Sequence, residues 1–172
     1  TVSSMNPGPS PGRRELLRLK GLQWQSFALP EGLSPGARAW LLGDGPRLSI
    51  VQAGDDGLAR VWSVGAHKLE WTLETLESPP SVDLYLLAGG QLIGADVDTP
   101  GEVRFWLLRP QGAHPLAGAS DVSGDRAVFS VGERLYTLWK PDGDDPRLHV
   151  SVVSSVTGES LYSGPVGADP II

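Results

Sequence analysis

The sequence predicts an all-β protein made of three consecutive copies of one four-stranded antiparallel unit. Glycine (22 residues) and proline (15 residues) recur along the whole 172-residue chain, and these two residues are the least favourable in the interior of a helix. Short apolar runs end at glycine-containing turns, as β-strands do. The same residues also return at intervals of 44 and 43 positions, which is the pattern of stacked repeats.

The repeat appears in four columns of matching residues, with one member in each copy. Within every column the spacing is 44 residues and then 43, so a single deletion explains the difference. The columns are Gly45, Gly89 and Gly132; Leu48, Leu92 and Leu135; Arg60, Arg104 and Arg147; and Leu42, Leu86 and Phe129. We predict three units, at about residues 37–76, 82–118 and 125–164.

Each unit begins with an apolar run that suits a buried strand and ends in a tight turn. The first strands are predicted at 37–42, 82–87 and 126–131, and their turns at 43–46, 89–90 and 132–133. Second strands begin at Leu48, Leu92 and Leu135. Because a sheet this small cannot bury both of its faces alone, the units must stack on one another.

A third strand and a weaker fourth strand complete each unit. The third strands are predicted at 58–62, 103–106 and 147–150, and the fourth at 68–73, 114–117 and 160–163. Residues 22–27 resemble 69–73, which predicts the outer strand of a preceding unit. Residues 1–17 are predicted as a flexible linker, because the first dozen are mostly Ser, Pro and Gly. Residues 18–172 are then one β-domain.

Parts of the first two units resemble a known family. Residues 54–62 (GDDGLARVW) and 68–73 (KLEWTL) resemble the third and fourth strands of a WD-repeat blade, in which an Asp-Gly turn precedes a strand that ends in Trp. In the second unit, 101–106 (GEVRFW) keeps the turn and Trp106. The units therefore resemble WD-repeat or quinoprotein-like blades, and the resemblance implies the stacked sheets of a β-propeller.

The number of units leaves the architecture of such a propeller open. Propellers usually have four to eight blades, whereas this chain has three units. One alternative is a ring completed by oligomerisation, and another is an incomplete propeller cut from a longer chain. The third is an open curved sheet whose edges are covered by Arg18, Lys20 and prolines.

Composition excludes several classes of partner and cofactor. The 20 acidic residues outnumber the 14 basic ones, for a net charge of -6, so binding to nucleic acid or to anionic lipid is not expected. There is no cysteine, which removes disulfides, thiolate catalysis and cysteine-bound zinc. No stretch has the roughly twenty apolar residues of a membrane span, so no membrane insertion is predicted.

The start of the chain at Thr1 allows two interpretations of its location. In one, a signal segment ending in a lipidated cysteine has been removed, and the linker tethers an extracytoplasmic domain to a membrane. In the other, the chain is a piece of a larger polypeptide. The cell envelope is favoured slightly over the cytoplasm.

The candidate binding residues are the arginines of the repeat, Arg60, Arg104 and Arg147. Equivalent positions of stacked units can line up around an axis, so these side chains could form a basic ring. The alternative is that each arginine pairs with a carboxylate of its own turn and stabilises the fold slightly. The turn carboxylates in question are Asp55, Asp56 and Glu102.

The remaining conspicuous residues are predicted to be structural, and no catalytic, cofactor-binding or metal-binding residue is predicted. The tryptophans should fill space between sheets, and the histidines show no metal-ligand spacing. The acidic turns lack the ligand pattern of an EF-hand. These residues are Trp24, Trp40, Trp62, Trp71, Trp106 and Trp139; His67, His114 and His149; and the turns 55–57 and 142–145.

The sequence therefore predicts a non-enzymatic, acidic repeat protein that acts as a scaffold and binds another protein, either a different chain or a copy of itself. Broad faces lined by loops most often serve binding when catalytic residues are missing. The alternative is a carbohydrate- or ligand-binding module of the cell envelope, which an exposed Trp beside acidic loops would indicate. A hydrolase would instead show a pocket with two carboxylates of shifted pKa.

Overall fold

A computed structural model describes residues 15–20, 23–44, 47–64, 70–143 and 147–167. These residues contain fourteen strands and no helix. The strands are β1 (Glu15–Lys20), β2 (Gln23–Ala28), β3 (Ala39–Asp44), β4 (Arg47–Ala53), β5 (Leu58–Val64), β6 (Thr72–Glu77), β7 (Leu84–Ala88), β8 (Gln91–Asp96), β9 (Gly101–Arg109), β10 (Gly112–Val122), β11 (Arg126–Val131), β12 (Arg134–Trp139), β13 (His149–Ser154) and β14 (Ser160–Pro165).

The strands form one hairpin and three four-stranded sheets. The hairpin is β1–β2, and the first, second and third sheets are β3–β6, β7–β10 and β11–β14. In each sheet the strands lie in sequence order, and every neighbouring pair is antiparallel. The prediction of an all-β chain with three four-stranded antiparallel units is confirmed. None of these sheets closes on itself within the described residues.

The first two strands of each sheet keep the predicted repeat. Trp40 faces Val51 in the first sheet, and the pairs at the same offsets, Leu84 with Ala95 and Ala127 with Leu138, face each other in the other two. Two-residue turns join β7 to β8 and β11 to β12, where Gly89 and Gly132 both have φ of 57°. Glycine reaches this conformation without steric cost. Gly45 lies outside the described residues.

The third strand departs from the repeat in the last sheet. Arg60 faces Gln52 and Arg104 faces Asp96, at matching positions of the first and second sheets. In the third sheet the matching position, opposite Trp139, holds His149. Two additional residues separate β12 from β13, so the strand predicted at 147–150 begins at His149, and Arg147 precedes it.

The outer strands differ most from their predicted bounds. β6 begins at Thr72 instead of residue 68, and residues 65–69 lie outside the description. β10 extends to Val122 because β-bulges shift its register against β9 after Leu116 and again after Ser120. β2 pairs with β1, and β1 begins at Glu15, so residues 15–17 of the stretch predicted as a linker belong to a strand.

Two hydrophobic clusters hold the three sheets in a stack. The first sheet packs on the second through a cluster that includes Val51, Val61, Leu76, Tyr85 and Leu108. The opposite face of the second sheet packs on the third through a cluster that includes Ile93, Phe105, Leu107, Leu135 and Trp139. β7 contacts both β3 and β11, so the first strands of the three sheets lie side by side.

Candidate functional site

One face of the third sheet carries apolar side chains at positions that are buried in the other sheets. Side chains alternate between the two faces of a strand. Leu42 and Leu86 pack against the next sheet, whereas Phe129, at the matching position of the last sheet, is 37% exposed. Val131 is 60% exposed, whereas its counterpart Ala88 is fully buried. The β11–β12 part of this face therefore presents a surface that its counterparts use for packing, whereas the β13 valines on the same face are buried.

We call this surface the free face and define it by Phe129, Val131, Tyr136 and Leu138. Phe129 and Tyr136 face each other across β11 and β12, and their rings stack with centroids 5.2 Å apart and planes 6° apart. Cross-strand aromatic pairs of this kind are stable and stiff. The free face is therefore an ordered apolar surface.

The opposite end of the stack is partly covered by the chain itself. Trp62 lies on the face of the first sheet that points away from the second sheet, and it is buried. Ser34 and Gln52 exchange two hydrogen bonds of 3.1 Å, and the Trp71 indole donates to the Ala28 carbonyl at 2.8 Å. These bonds tie residues before β3 to this end of the stack.

The repeated arginines are paired with carboxylates close to them in sequence. Arg60 on β5 contacts Asp56 with N–O distances of 2.6 and 3.5 Å, and Arg104 on β9 contacts Glu102. The hydrogen bond from Arg60 lowers the pKa of Asp56, and the bond with Glu102 raises the pKa of Arg104. Arg147 is exposed and precedes β13. Two of the three arginines thus share a register, and their role in binding stays a prediction.

Arg126 connects the second and third sheets, which the sequence did not indicate. Its Nη1 donates to the carbonyls of Thr99 and Glu102 at 3.0 and 3.2 Å. The matching positions of the other two sheets hold Ala39 and Asp83, so no repeat column pointed to Arg126. The only available signal was an arginine at the start of an otherwise apolar strand.

Asp56 and Asp83 accept hydrogen bonds from backbone amides. Asp56 accepts from the Leu58 amide at 3.2 Å, and Gly57 has φ of 76°, as predicted from turn chemistry. Asp83 accepts from the Val97 and Asp98 amides at 3.0 to 3.2 Å, and burial raises the pKa of its carboxyl. In the described part of the chain, no three His, Cys, Asp or Glu side chains could hold a metal together.

The tryptophans and histidines whose side chains are described lie in packed or surface positions. Trp40, Trp106 and Trp139 pack in the clusters between the sheets, as predicted. Trp62 is buried on the outer face of the first sheet, and Trp71 is half-buried. His149 lies against Trp139, and His114 is exposed on β10. The description does not include the side chain of Trp24, nor any part of His67, Asp144 and Asp145.

A cleft of about 200 Å³ opens between the first and second sheets. Its polar lining includes Arg47, Ser49, Ser63, Glu74 and Arg109. Ser49 is 3% exposed, and its hydroxyl lies 2.8 Å from that of Ser63. A second hollow, of about 270 Å³, lies beside the turn between β4 and β5.

Comparison with known proteins found no family model and no curated protein that matches this chain. The described residues also contain no helix with the length and apolar character needed to cross a membrane.

Proposed function

We propose that this protein is a non-enzymatic scaffold whose three propeller-like sheets present a binding surface for another protein. The observation that carries the proposal is the free face, where Phe129 and Val131 are exposed although their counterparts pack against a neighbouring sheet. Exposed apolar patches of this kind mark interaction surfaces.

The chemistry of the free face suits a protein partner. Aromatic residues are enriched at protein interfaces, where their large rings contribute much of the binding energy. The stacked Phe129 and Tyr136 rings are already held in place, so little side-chain entropy is lost on binding. A sheet with an apolar face, packed as the second sheet packs on the third, fits this surface.

A copy of the same chain is one partner that the stack allows. Leu41 and Leu73 are exposed at the opposite end of the stack, so the two ends offer different apolar surfaces. Contact between different ends of identical chains produces a ring when the rotation closes. Two chains would contribute six sheets, within the usual range of four to eight blades in a propeller.

The carbohydrate-binding alternative depends on an exposed tryptophan beside acidic loops. Trp40 contacts both the Arg38 guanidinium, 4.8 Å from the ring centroid, and the Tyr85 ring, whose centroid is 4.8 Å away. None of the tryptophans with a described side chain is fully exposed. The free face therefore supports protein binding better than sugar stacking.

We expect Val131→Glu to abolish binding to the partner, because it places a charge in an apolar interface. Val156→Glu is the matched control, since Val156 is also 60% exposed but lies in the turn between β13 and β14. Light scattering of the purified protein tests self-association. Affinity capture followed by binding of the identified, purified partner tests a different protein.

Two outcomes would overturn the proposal. One is that the purified protein is a monomer and that no purified partner binds to it. The other is a partner that binds Val131→Glu and the wild type equally well. Thermal unfolding of both variants should match the wild type, because both side chains project from the surface.

A further inference from the structure

The cleft between the first and second sheets exists because two serines replace larger apolar residues of the repeat. Ser49 on β4 and Ser63 on β5 face each other on the side that packs against the second sheet. By register, their counterparts on the second sheet are Ile93 and Leu107. Both counterparts are buried and fill the corresponding space against the third sheet. The interface between the second and third sheets therefore shows how the interface between the first and second sheets would pack with apolar residues at these positions.

The serine pair brings unused hydrogen-bonding capacity into this cleft. A hydroxyl has one donor hydrogen, and the 2.8 Å contact between the two Oγ atoms uses one of the two hydrogens. Neither hydroxyl has another hydrogen-bond partner among the described residues. Ser49 is buried and Ser63 is half-buried, and this pair contributes less apolar burial than Ile and Leu would. Packing alone therefore does not explain it.

The rest of the lining combines apolar walls with cationic groups. Arg47 and Arg109 are exposed and, within the described ranges, their side chains have no hydrogen-bond or ion-pair partner. Glu74 also lines the cleft, so the nearby side chains carry a net charge of about +1. The apolar walls are formed by Val61, Leu76, Leu87, Leu92 and Leu108.

We propose that this cleft binds a small monocarboxylate with a short alkyl body. The carboxylate oxygens accept hydrogen bonds from the free serine hydroxyl and from an arginine, which is the residue best suited to carboxylates. The alkyl body packs against the apolar walls. A volume of about 200 Å³ lies below the usual range of drug-sized pockets, roughly 300–1,000 Å³, so the ligand has only a few carbons.

The lining also favours a single negative charge. Glu74 repels a second carboxylate, and the apolar walls would desolvate it without compensation. The site is independent of the free face, because it lies between the other two sheets. It therefore goes beyond the proposed scaffold function and can be tested separately.

The experiment titrates the purified protein with butyrate by NMR or calorimetry. We expect saturable binding with a Kd of about 1 mM, as befits so small a ligand. n-Butanol has the same alkyl body without the carboxylate, and succinate carries a second carboxylate. Each should bind at least about tenfold more weakly than butyrate, a difference of one unit in log Kd.

The decisive variant is the double substitution Ser49→Ile with Ser63→Leu, which rebuilds the side chains of the second sheet at the same positions. It should abolish butyrate binding and raise the melting temperature, so that lost binding is not mistaken for lost folding. Arg47→Gln should weaken butyrate about tenfold. Arg134→Gln, at the matching position of the third sheet, should bind butyrate as the wild type does.

Two results would overturn the proposal. The first is the absence of saturable butyrate binding to the folded wild type. The second is equal binding by the wild type and the double variant. If the double variant fails to fold, Ser63→Ala replaces it, and unchanged butyrate affinity in that variant excludes the serine pair as a ligand contact.

Discussion

The arginine column shows how one repeated residue acquires local partners. Arg60 and Arg104 occupy the same register in neighbouring sheets. Arg60 contacts Asp56 in the turn before β5, whereas Arg104 contacts Glu102 on β9 itself. Both pairs are substantially exposed. Exposed pairs of this kind contribute little to folding, because water and salt screen them. The spacing of the two arginines follows from the strand register that the two sheets share.

Arg60→Gln should raise the pKa of Asp56 toward its ordinary value, because the hydrogen bond that lowers this pKa is lost. The native pKa is depressed, so the pair stabilises the fold above the unfolded-state pKa. This contribution is lost as the pH falls through the folded-state pKa. NMR titration of the Asp56 carboxyl measures the change.

Arg104→Gln is the control for this titration, because Arg104 pairs with Glu102 in the next sheet. It should leave the titration of Asp56 unchanged. An unaltered Asp56 pKa in Arg60→Gln would show that the contact between the two residues does not persist in solution.

Among the elements, β10 departs furthest from the repeat. Its two bulges allow the strand to extend over eleven residues alongside β9, whereas the sequence predicted a short strand around 114–117. Gly118 lies in the first bulge, so close to the Val103 carbonyl that a β-carbon would collide with backbone. The sequence showed an Ala-Gly-Ala segment there without indicating why glycine is required.

Gly118→Ala should lower the free energy of unfolding by about 1–3 kcal/mol, the usual cost of overpacking. Gly43→Ala is the matched control, since Gly43 also lies in a strand but has no neighbouring atom where its β-carbon would be. Urea unfolding measures both variants. Equal stability of the two would contradict the close approach of β9 and β10 at the bulge.

At the scale of the whole molecule, the second sheet differs from the other two because each of its faces packs on another four-stranded sheet. Tyr85 lies in the cluster shared with the first sheet, and Phe105 lies in the cluster shared with the third. The stack is also joined by polar contacts, including the Gly89 amide to the Gly132 carbonyl at 2.7 Å and the bonds from Arg126. These contacts fix how the sheets lie against one another.

Arg126→Gln should destabilise the junction between the second and third sheets, because it removes the guanidinium that donates hydrogen bonds to two backbone carbonyls. We expect a loss of about 1–3 kcal/mol in the free energy of unfolding. Arg104→Gln, on an exposed part of β9, should lose much less. Hydrogen exchange of the amides in β11 tests whether the loss is local, and unchanged stability would exclude Arg126 as a structural link.

The sequence by itself determined the all-β class, the three units and the register of their first two strands. Alternating apolar residues and glycine turns act over a few positions, so a repeat copies them faithfully. Only the tertiary structure decided that His149 takes the place expected for Arg147, that β10 bulges, and that Arg126 joins two sheets. It also decided that Ser49 and Ser63 leave a cleft while Phe129 and Val131 remain exposed. These features depend on which face of a sheet packs against a neighbouring sheet. That packing is determined jointly by residues that are far apart in the chain.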